Sequence, residues 1–295
     1  MRSVPTARPP FCSDISRDND EPLGATASRI DYWLLVEYRG LWSSDAVDDS
    51  GLSDQVKARL RELKVQRPRT RILLVRRPDR RRHPTLAVFT AESRQGGERL
   101  GSLELDEHED LRDVDPWEAA APLDEPLFLA CTHGKHDPCC ARHGRPLFEA
   151  LSEQLDAGSV WQSTHVGGDR FAGNLVCLPH GVYYGRVERD DVPQVVDEYL
   201  DGQISLAHYR GRSCWPFPVQ AAERRIRADE GVTGLDDLAL ASVQRSSESE
   251  RWTVTFETPI GRRELDVTAE LGELTLLTCS SEAAKRPLRY VTTPR

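Results

Sequence analysis

The order of apolar patterns between Pro126 and Leu200 constrains the fold of this chain more than any other feature. A short apolar strand is followed by a helix with one apolar face, a second strand, two strands joined as a hairpin, and a closing helix. The predicted elements are strand 126–130, helix 145–155, strand 160–161, strands 175–178 and 182–184, and helix 192–200. This β-α-β, hairpin, α order predicts a mixed sheet flanked by helices.

The predicted order is that of a thioredoxin-like fold, which places the chain in the α/β class. We assign this domain to residues 123–218. An α/β region, residues 1–122, precedes it; this region includes an apolar strand at Tyr32–Glu37 and ends in an acidic, proline-bearing segment typical of a linker. A small α+β extension, residues 219–295, follows. The sequence shows no internal repeat.

Charge and hydropathy exclude two classes of partner. The 295-residue chain has a net charge of -9, whereas nucleic-acid binding depends on a clustered positive surface. The basic run from Arg76 to Arg82 is the local exception, and it is interpreted as a solvated loop or as a patch that docks a partner. No apolar stretch approaches the roughly 20 residues that span a bilayer, and no secretory signal is evident. We therefore expect a soluble cytoplasmic protein without a nucleic-acid or membrane partner.

Three of the seven cysteines lie in the segment 131–140 (CTHGKHDPCC), between a predicted strand and a predicted helix. An odd number of cysteines in a chain without an export signal does not describe a disulfide framework. Thiols in a polar loop before a helix lie near positive partial charge, which lowers the thiol pKa and favours metal ligation or redox reactivity. We predict that Cys131 and Cys140 are ligands.

A second polar loop, 165–174 (HVGGDRFAGN), brings His165 and Asp169 to the same edge of the predicted sheet. Its paired glycines allow a tight turn or a close approach to a cofactor. Two thiolates and an imidazole suit an iron-sulfur cluster or zinc, and they suit magnesium or calcium poorly. The residues themselves therefore predict a metal site.

Together, the two loops resemble those of the sucrase/ferredoxin-like family, whose members carry thioredoxin-like ferredoxin domains. Further similarity lies in 185–187 (GRV) and 220–223 (QAAE), and the resemblance covers most of residues 11–225. It implies a 2Fe-2S cluster held by Cys131, Cys140 and two further ligands, which are histidines in members with mixed ligation.

The first of those further positions is His165 in this chain, but the second is Asp169. A carboxylate is a harder ligand than imidazole and adds negative charge, so it should lower the reduction potential relative to histidine. Three outcomes stay open. In the first, Asp169 is the fourth ligand. In the second, Cys139 or another nearby group takes its place. In the third, the cluster is lost or replaced.

The resemblance implies an electron carrier more than a stand-alone enzyme. Because no glycine-rich dinucleotide fingerprint follows a strand, we expect an external reductase as electron donor, and the acceptor is unknown. The first alternative is a zinc site, structural or hydrolytic, on the same residues. The second is thiol-disulfide chemistry at Cys139 and Cys140 or at Cys131. No pair of carboxylates supports the glycoside hydrolysis that the word sucrase suggests.

The other cysteines and histidines are expected to be mainly structural. His133 and His136 either hydrogen-bond the cluster sulfurs or are ordinary loop residues. Cys12 has no spacing that gives a ligand set. Core thiols are expected at Cys177, Cys214 and Cys279.

Overall fold

The computed structural model describes residues 10–78, 83–247 and 249–295 as a mixed α/β protein with a ten-stranded sheet and a four-stranded sheet. Arg80, Arg81 and Arg82 of the basic run lie outside the described residues. None of the described helices is both long enough and apolar enough to cross a bilayer. The α/β class predicted from the sequence is confirmed.

The second half of the large sheet has the strand order expected for a thioredoxin-like fold. Strand β6 pairs in parallel with β7 and antiparallel with β8, and β9 lies outside β8. Its elements are β6 (Leu127–Cys131), α4 (Pro138–Gln154), β7 (Val160–Ser163), β8 (Leu175–Leu178), β9 (Val182–Tyr184), α5 (Val192–Leu200) and β10 (Tyr209–Arg212). We call this part of the chain the second unit.

The first half of the sheet repeats that strand order. Strand β1 pairs in parallel with β2 and antiparallel with β3, and β4 lies outside β3. Helix α1 (Cys12–Asp18) precedes this first unit, whose elements are β1 (Tyr32–Glu37), α2 (Asp54–Gln66), β2 (Thr70–Arg76), β3 (Leu86–Glu92), β4 (Arg99–Leu105), α3 (Pro116–Ala119) and β5 (Ala121–Pro122). The structure thus contains a topological repeat that the sequence does not reveal.

The two units join through their outer strands β2 and β7, which pair antiparallel at their carboxyl ends. The register places Val75 opposite Ser163 and Arg76 opposite Gln162. Trp161 of the second unit packs edge-on against Phe89 of the first, with ring centroids 5.0 Å apart. One sheet and one core cluster therefore run through both units, across the boundary predicted near residue 122.

The C-terminal extension consists of α6 (Phe217–Glu230) packed on an antiparallel sheet. Its strands, in spatial order, are β11 (Ala239–Arg245), β12 (Arg251–Thr258), β13 (Gly261–Leu271) and β14 (Leu288–Pro294). Phe256 and Val267 are buried beneath α6 with Val219 and Ala222. The predicted α+β character is confirmed. Strands β11 and β14 are mostly exposed.

Helix α4 begins at Pro138, not near residue 145 as predicted. The Asp137 side chain accepts a hydrogen bond from the Cys139 N–H group, and Pro138 occupies the first helical position, where its missing N–H group costs nothing. Cys139 and Cys140 therefore lie in the first turn of a helix. Because their side chains leave that helix in different directions, neighbouring cysteines can serve different sites.

A buried ion pair within α6 is tied to the large sheet by a tyrosine of β10. Glu223 accepts hydrogen bonds from the Tyr209 hydroxyl, at 2.7 and 2.8 Å, and from Arg227 Nε at 2.9 Å, and both charged side chains are fully buried.

Replacing Glu223 by alanine should lower the free energy of unfolding by roughly 3–5 kcal/mol, because it leaves the buried Arg227 charge uncompensated. The matched control is Asp229→Ala, which removes the exposed ion pair with Arg225 on the same helix and should cost less than about 1 kcal/mol. Urea unfolding followed by circular dichroism measures both. Equal losses in the two variants would contradict the structural role of Glu223.

Candidate metal centre

Cys131 and Cys140 meet where β6 ends and α4 begins. Cys131 is the last residue of β6, and its N–H group bonds to the Asn174 carbonyl oxygen at 3.1 Å. Cys140 lies in the first turn of α4, and both thiols are almost completely buried. A strand end and a helix start, both fixed by backbone hydrogen bonds, therefore hold the two sulfurs at one place.

His165 and Asp169 approach these sulfurs from the loop after β7. The donor atoms of Cys131, Cys140 and His165 all lie within 4.8 Å of one another. Asp169 Oδ1 accepts a hydrogen bond from Cys140 Sγ at 3.1 Å and lies 2.8 Å from His165 Nδ1. That nitrogen is buried, yet it has no well-aligned hydrogen-bond partner among the described residues. The structure thus brings all four predicted site residues together.

The electrostatics of the four side chains are tightly linked. A hydrogen bond from Cys140 holds the pKa of the Cys131 thiol well below its usual value despite burial, and the same contact, with burial, raises the pKa of Cys140. Burial would lower the pKa of His165, but Asp169 and Cys131 raise it to about 9. Burial would raise the pKa of Asp169, but His165 lowers it. The protonation of each of the four side chains therefore depends on that of its neighbours.

The paired glycines of the His165 loop have a conformational role. Gly167 and Gly168 have φ values of +106° and +81°, which side-chain-bearing residues rarely adopt. A Cβ on Gly168 would lie 2.4 Å from Arg210 Nη2. The glycines therefore let the loop turn and admit a buried arginine beside the site.

Arg210 is a buried residue beside the site that the sequence did not suggest. Its guanidinium donates hydrogen bonds to the Gly167 carbonyl oxygen at 3.0 Å and to Asn174 Oδ1 at 2.7 Å, and it also bonds to Thr26. Burial lowers the pKa of Arg210 to about 10, so the side chain stays charged at neutral pH. Arginine in a short strand ordinarily indicates a solvent-facing position, so no sequence signal marked it. Arg170, the neighbour of Asp169 in the chain, pairs with Glu21.

The two loop histidines contact His165 and the first unit. His133 Nδ1 accepts a hydrogen bond from the His165 N–H group at 3.3 Å, and His133 Nε2 lies 2.7 Å from the Ser43 carbonyl oxygen. The His136 ring stacks on His165 with centroids 3.9 Å apart. Because Ser43 follows β1, the first unit contacts His133 and, through it, the backbone of His165.

Cys139 points away from these groups, into a second cluster. Its sulfur lies 3.6 Å from Cys12 Sγ and 3.3 Å from Cys279 Sγ. The structure therefore separates Cys139 from Cys140, the pair considered for thiol chemistry. Cys12 and Cys279 therefore lie close together. The sequence indicates no ligand set for Cys12 and predicts that Cys279 is a core thiol. Cys177 and Cys214 are buried, as predicted.

The strand order and the convergence of two thiols with an imidazole define a thioredoxin-like protein with a candidate metal centre. The chain belongs to the sucrase/ferredoxin-like family, whose family model matches residues 23–211, more than half of the chain.

Two fungal relatives are similar to a part of the chain. A protein named altered inheritance of mitochondria protein 32 from Meyerozyma guilliermondii is 36% identical over an alignment of 99 residues, and the match covers 30% of this chain and 35% of the relative. The protein of the same name from Debaryomyces hansenii is 33% identical over an alignment of 95 residues, and the match covers 29% of this chain and 35% of the relative. The match spans about a third of the length of these curated relatives.

Solved structures of a thioredoxin-like [2Fe-2S] ferredoxin from Aquifex aeolicus are also similar. One is 20% identical, with a TM-score of 0.29, and the match covers 32% of this chain and 97% of the ferredoxin. The wild-type structure of the same ferredoxin is 22% identical, with a TM-score of 0.26 and coverage of 30% and 97%. The fold assignment rests on the strand order and not on these low scores.

Proposed function

We propose that this protein binds a 2Fe-2S cluster through Cys131, Cys140, His165 and Asp169 and carries single electrons. The observation that supports the proposal most strongly is the convergence of two buried thiols with an imidazole, whose donor atoms all lie within 4.8 Å of one another. Membership of a ferredoxin-like family supports the same chemistry.

The donor set fits this cofactor. Thiolates, with imidazoles in mixed-ligand centres, are the ligands that 2Fe-2S clusters take in proteins, and Asp169 supplies the fourth donor here. When bound, the cluster accepts and releases one electron. The protein holds the ligands in place, and its charged side chains near the site influence the reduction potential. Asp169 favours the oxidised state, whereas the buried positive charge of Arg210 favours the reduced state.

The site has one side that faces solvent. The side chains of Cys131, Cys140 and Asp169 are almost completely buried, whereas the His165 side chain is 20% exposed and that of His136, stacked on it, is 34% exposed. Electron exchange with an external reductase and with the acceptor would therefore occur on the His165 side. A cytoplasmic location stays part of this proposal.

Zinc is the second candidate for the same residues. The Cys131, Cys140 and His165 donor atoms all lie within 4.8 Å of one another, a spacing that also suits one tetrahedral ion. Iron and acid-labile sulfide analysis of anaerobically purified protein distinguishes the two. Two iron and two sulfide per chain are expected. Colourless protein with zinc at this site would overturn the electron-transfer proposal.

The role of Asp169 is tested by two substitutions. Asp169→His should keep the cluster, raise its reduction potential and change the EPR spectrum of the reduced protein, because imidazole is a softer and neutral ligand. Asp169→Ala should weaken or abolish cluster binding.

The matched control is Asp191→Ala, which alters a carboxylate that is 37% exposed. It should leave iron content and EPR signal unchanged. If both Asp169 variants retain the wild-type spectrum, Asp169 is not a ligand.

A further inference from the structure

The first turn of α4 also takes part in a second cluster of thiols, outside the proposed iron-sulfur site. Cys12, Cys139 and Cys279 form a triangle of sulfurs with edges of 3.6, 3.3 and 3.6 Å. These residues come from α1, from α4 and from the connection between β13 and β14. Three segments that are remote in the chain therefore bring one thiol each to a single point.

The size of this triangle fits one metal ion. A zinc ion with Zn–S bonds of about 2.3 Å in tetrahedral geometry separates its sulfurs by about 3.8 Å. The observed edges are close to that value, and they are far longer than the disulfide bond length of about 2.05 Å. All of these cysteines are free thiols.

Asp137 supplies a fourth donor. Its carboxylate oxygens lie 3.8 and 4.0 Å from Cys12 Sγ, and the donor atoms of all four residues lie within 4.8 Å of one another. The carboxylate is fully buried and is oriented by the N–H groups of Cys139, at 2.8 Å, and Cys279, at 2.6 Å. A buried carboxylate normally requires a cation, and a metal ion would provide one.

Two of the sulfurs already accept hydrogen bonds of the kind that support bound thiolates. Ser13 Oγ donates to Cys139 Sγ at 3.2 Å, and the Cys12 N–H group donates to Cys279 Sγ at 3.4 Å. Such outer contacts orient metal ligands and stabilise their charged form.

The position of Cys279 indicates that the cluster connects distant parts of the chain. It lies in the connection 272–287, which reaches from the small sheet back to the start of α4. Connections of this length without a helix or a full strand are uncommon. An isolated bridge between Thr275 and Lys285 orders this one, and Cys279 lies between those two residues. A metal ion bound here would fasten the N-terminal helix, α4 and the C-terminal extension to one another.

We propose that Cys12, Cys139, Cys279 and Asp137 bind one structural zinc ion. The set is closed, with four protein donors and three of them fully buried, as in structural rather than catalytic zinc sites. Soft thiolates select zinc over magnesium or calcium.

The test is metal analysis of tag-free, anaerobically purified protein. The native chain should contain one zinc in addition to its iron. Cys12→Ser and Cys279→Ser should lose most of this zinc and keep the iron. Cys214→Ser, which alters a buried thiol outside both clusters, should keep both metals. Cys131→Ser removes a proposed iron-sulfur ligand and should keep this zinc. Failure of the iron-sulfur proposal can therefore be distinguished from failure of the zinc proposal.

A second measurement needs no variant. Titration of the native protein with an organomercurial reagent should release one zinc to a metal-sensitive dye as the thiols react. Zinc absent from the native chain, or undiminished in both variants, would overturn the proposal. So would a disulfide among the three cysteines in native protein, or loss of iron in place of zinc from Cys12→Ser and Cys279→Ser.

Discussion

Serine at position 140 should abolish the proposed iron-sulfur cluster, whereas serine at the adjacent position 139 should leave it in place. The physical reason is the direction of the two side chains. Cys140 Sγ contacts Asp169 at 3.1 Å, while Cys139 Sγ contacts Cys12 and Cys279. We therefore expect Cys140→Ser to be colourless with almost no iron, and Cys139→Ser to keep its iron and visible absorption but lose its zinc.

The two variants serve as controls for each other, because they make the same chemical change in the same turn of the same helix. Visible spectra with iron, sulfide and zinc analysis provide the measurements. Parallel loss of both metals in each variant would mean that the first turn of α4 unfolds and that the two clusters are not independent. Retention of iron in Cys140→Ser would remove Cys140 from the ligand set.

Alanine at position 144 should disrupt the site without touching any ligand. A Cβ on Gly144 would lie 1.9 Å from the Cys131 carbonyl oxygen, so α4 must move away from β6. Alanine gains about 1 kcal/mol over glycine in helix propensity, but a clash with rigid backbone outweighs that gain. We expect Gly144→Ala to lower the free energy of unfolding by about 3 kcal/mol or more and to reduce cluster retention.

Gly158→Ala is the matched control, because nothing lies within 4 Å of a Cβ at that position. It should behave as the native protein does in urea unfolding and in iron content. A fully loaded Gly144→Ala protein of native stability would show that the contact between α4 and β6 does not fix the separation of Cys131 and Cys140.

Much of the site could be predicted from the sequence because its residues lie at the ends of predicted strands and in the loops that follow them. Cys131 ends an apolar strand, and His165 opens a glycine-bearing loop after the next parallel strand. Carboxyl ends of parallel neighbours meet at one edge of a sheet, so the strand pattern alone brings the two loops together. The proximity of Asp169 follows from its position four residues after His165.

Other features could not be predicted because they depend on long-range packing. Cys12 and Cys279 are 267 residues apart, and no spacing pattern relates them. Arg210 is buried because segments distant in the chain, the loop with the paired glycines and the segment around Thr26, fold around its guanidinium. The topological repeat could not be predicted because strand order depends on backbone hydrogen bonds. Two units with the same strand order therefore need not have similar sequences.

The joining of β2 to β7 bears on whether the ligand-bearing half can exist alone. Each of these is the outer strand of its own unit, so separation would leave the Thr164 N–H group without the Leu74 carbonyl oxygen, to which it bonds at 3.0 Å, and would expose the edge of β7 that now pairs with β2. Unpaired strand edges act as templates for association between chains. His133 would also lose the Ser43 carbonyl oxygen. A fragment containing only the second unit should therefore self-associate through β7. In the full chain, pairing with β2 covers this edge and prevents such association.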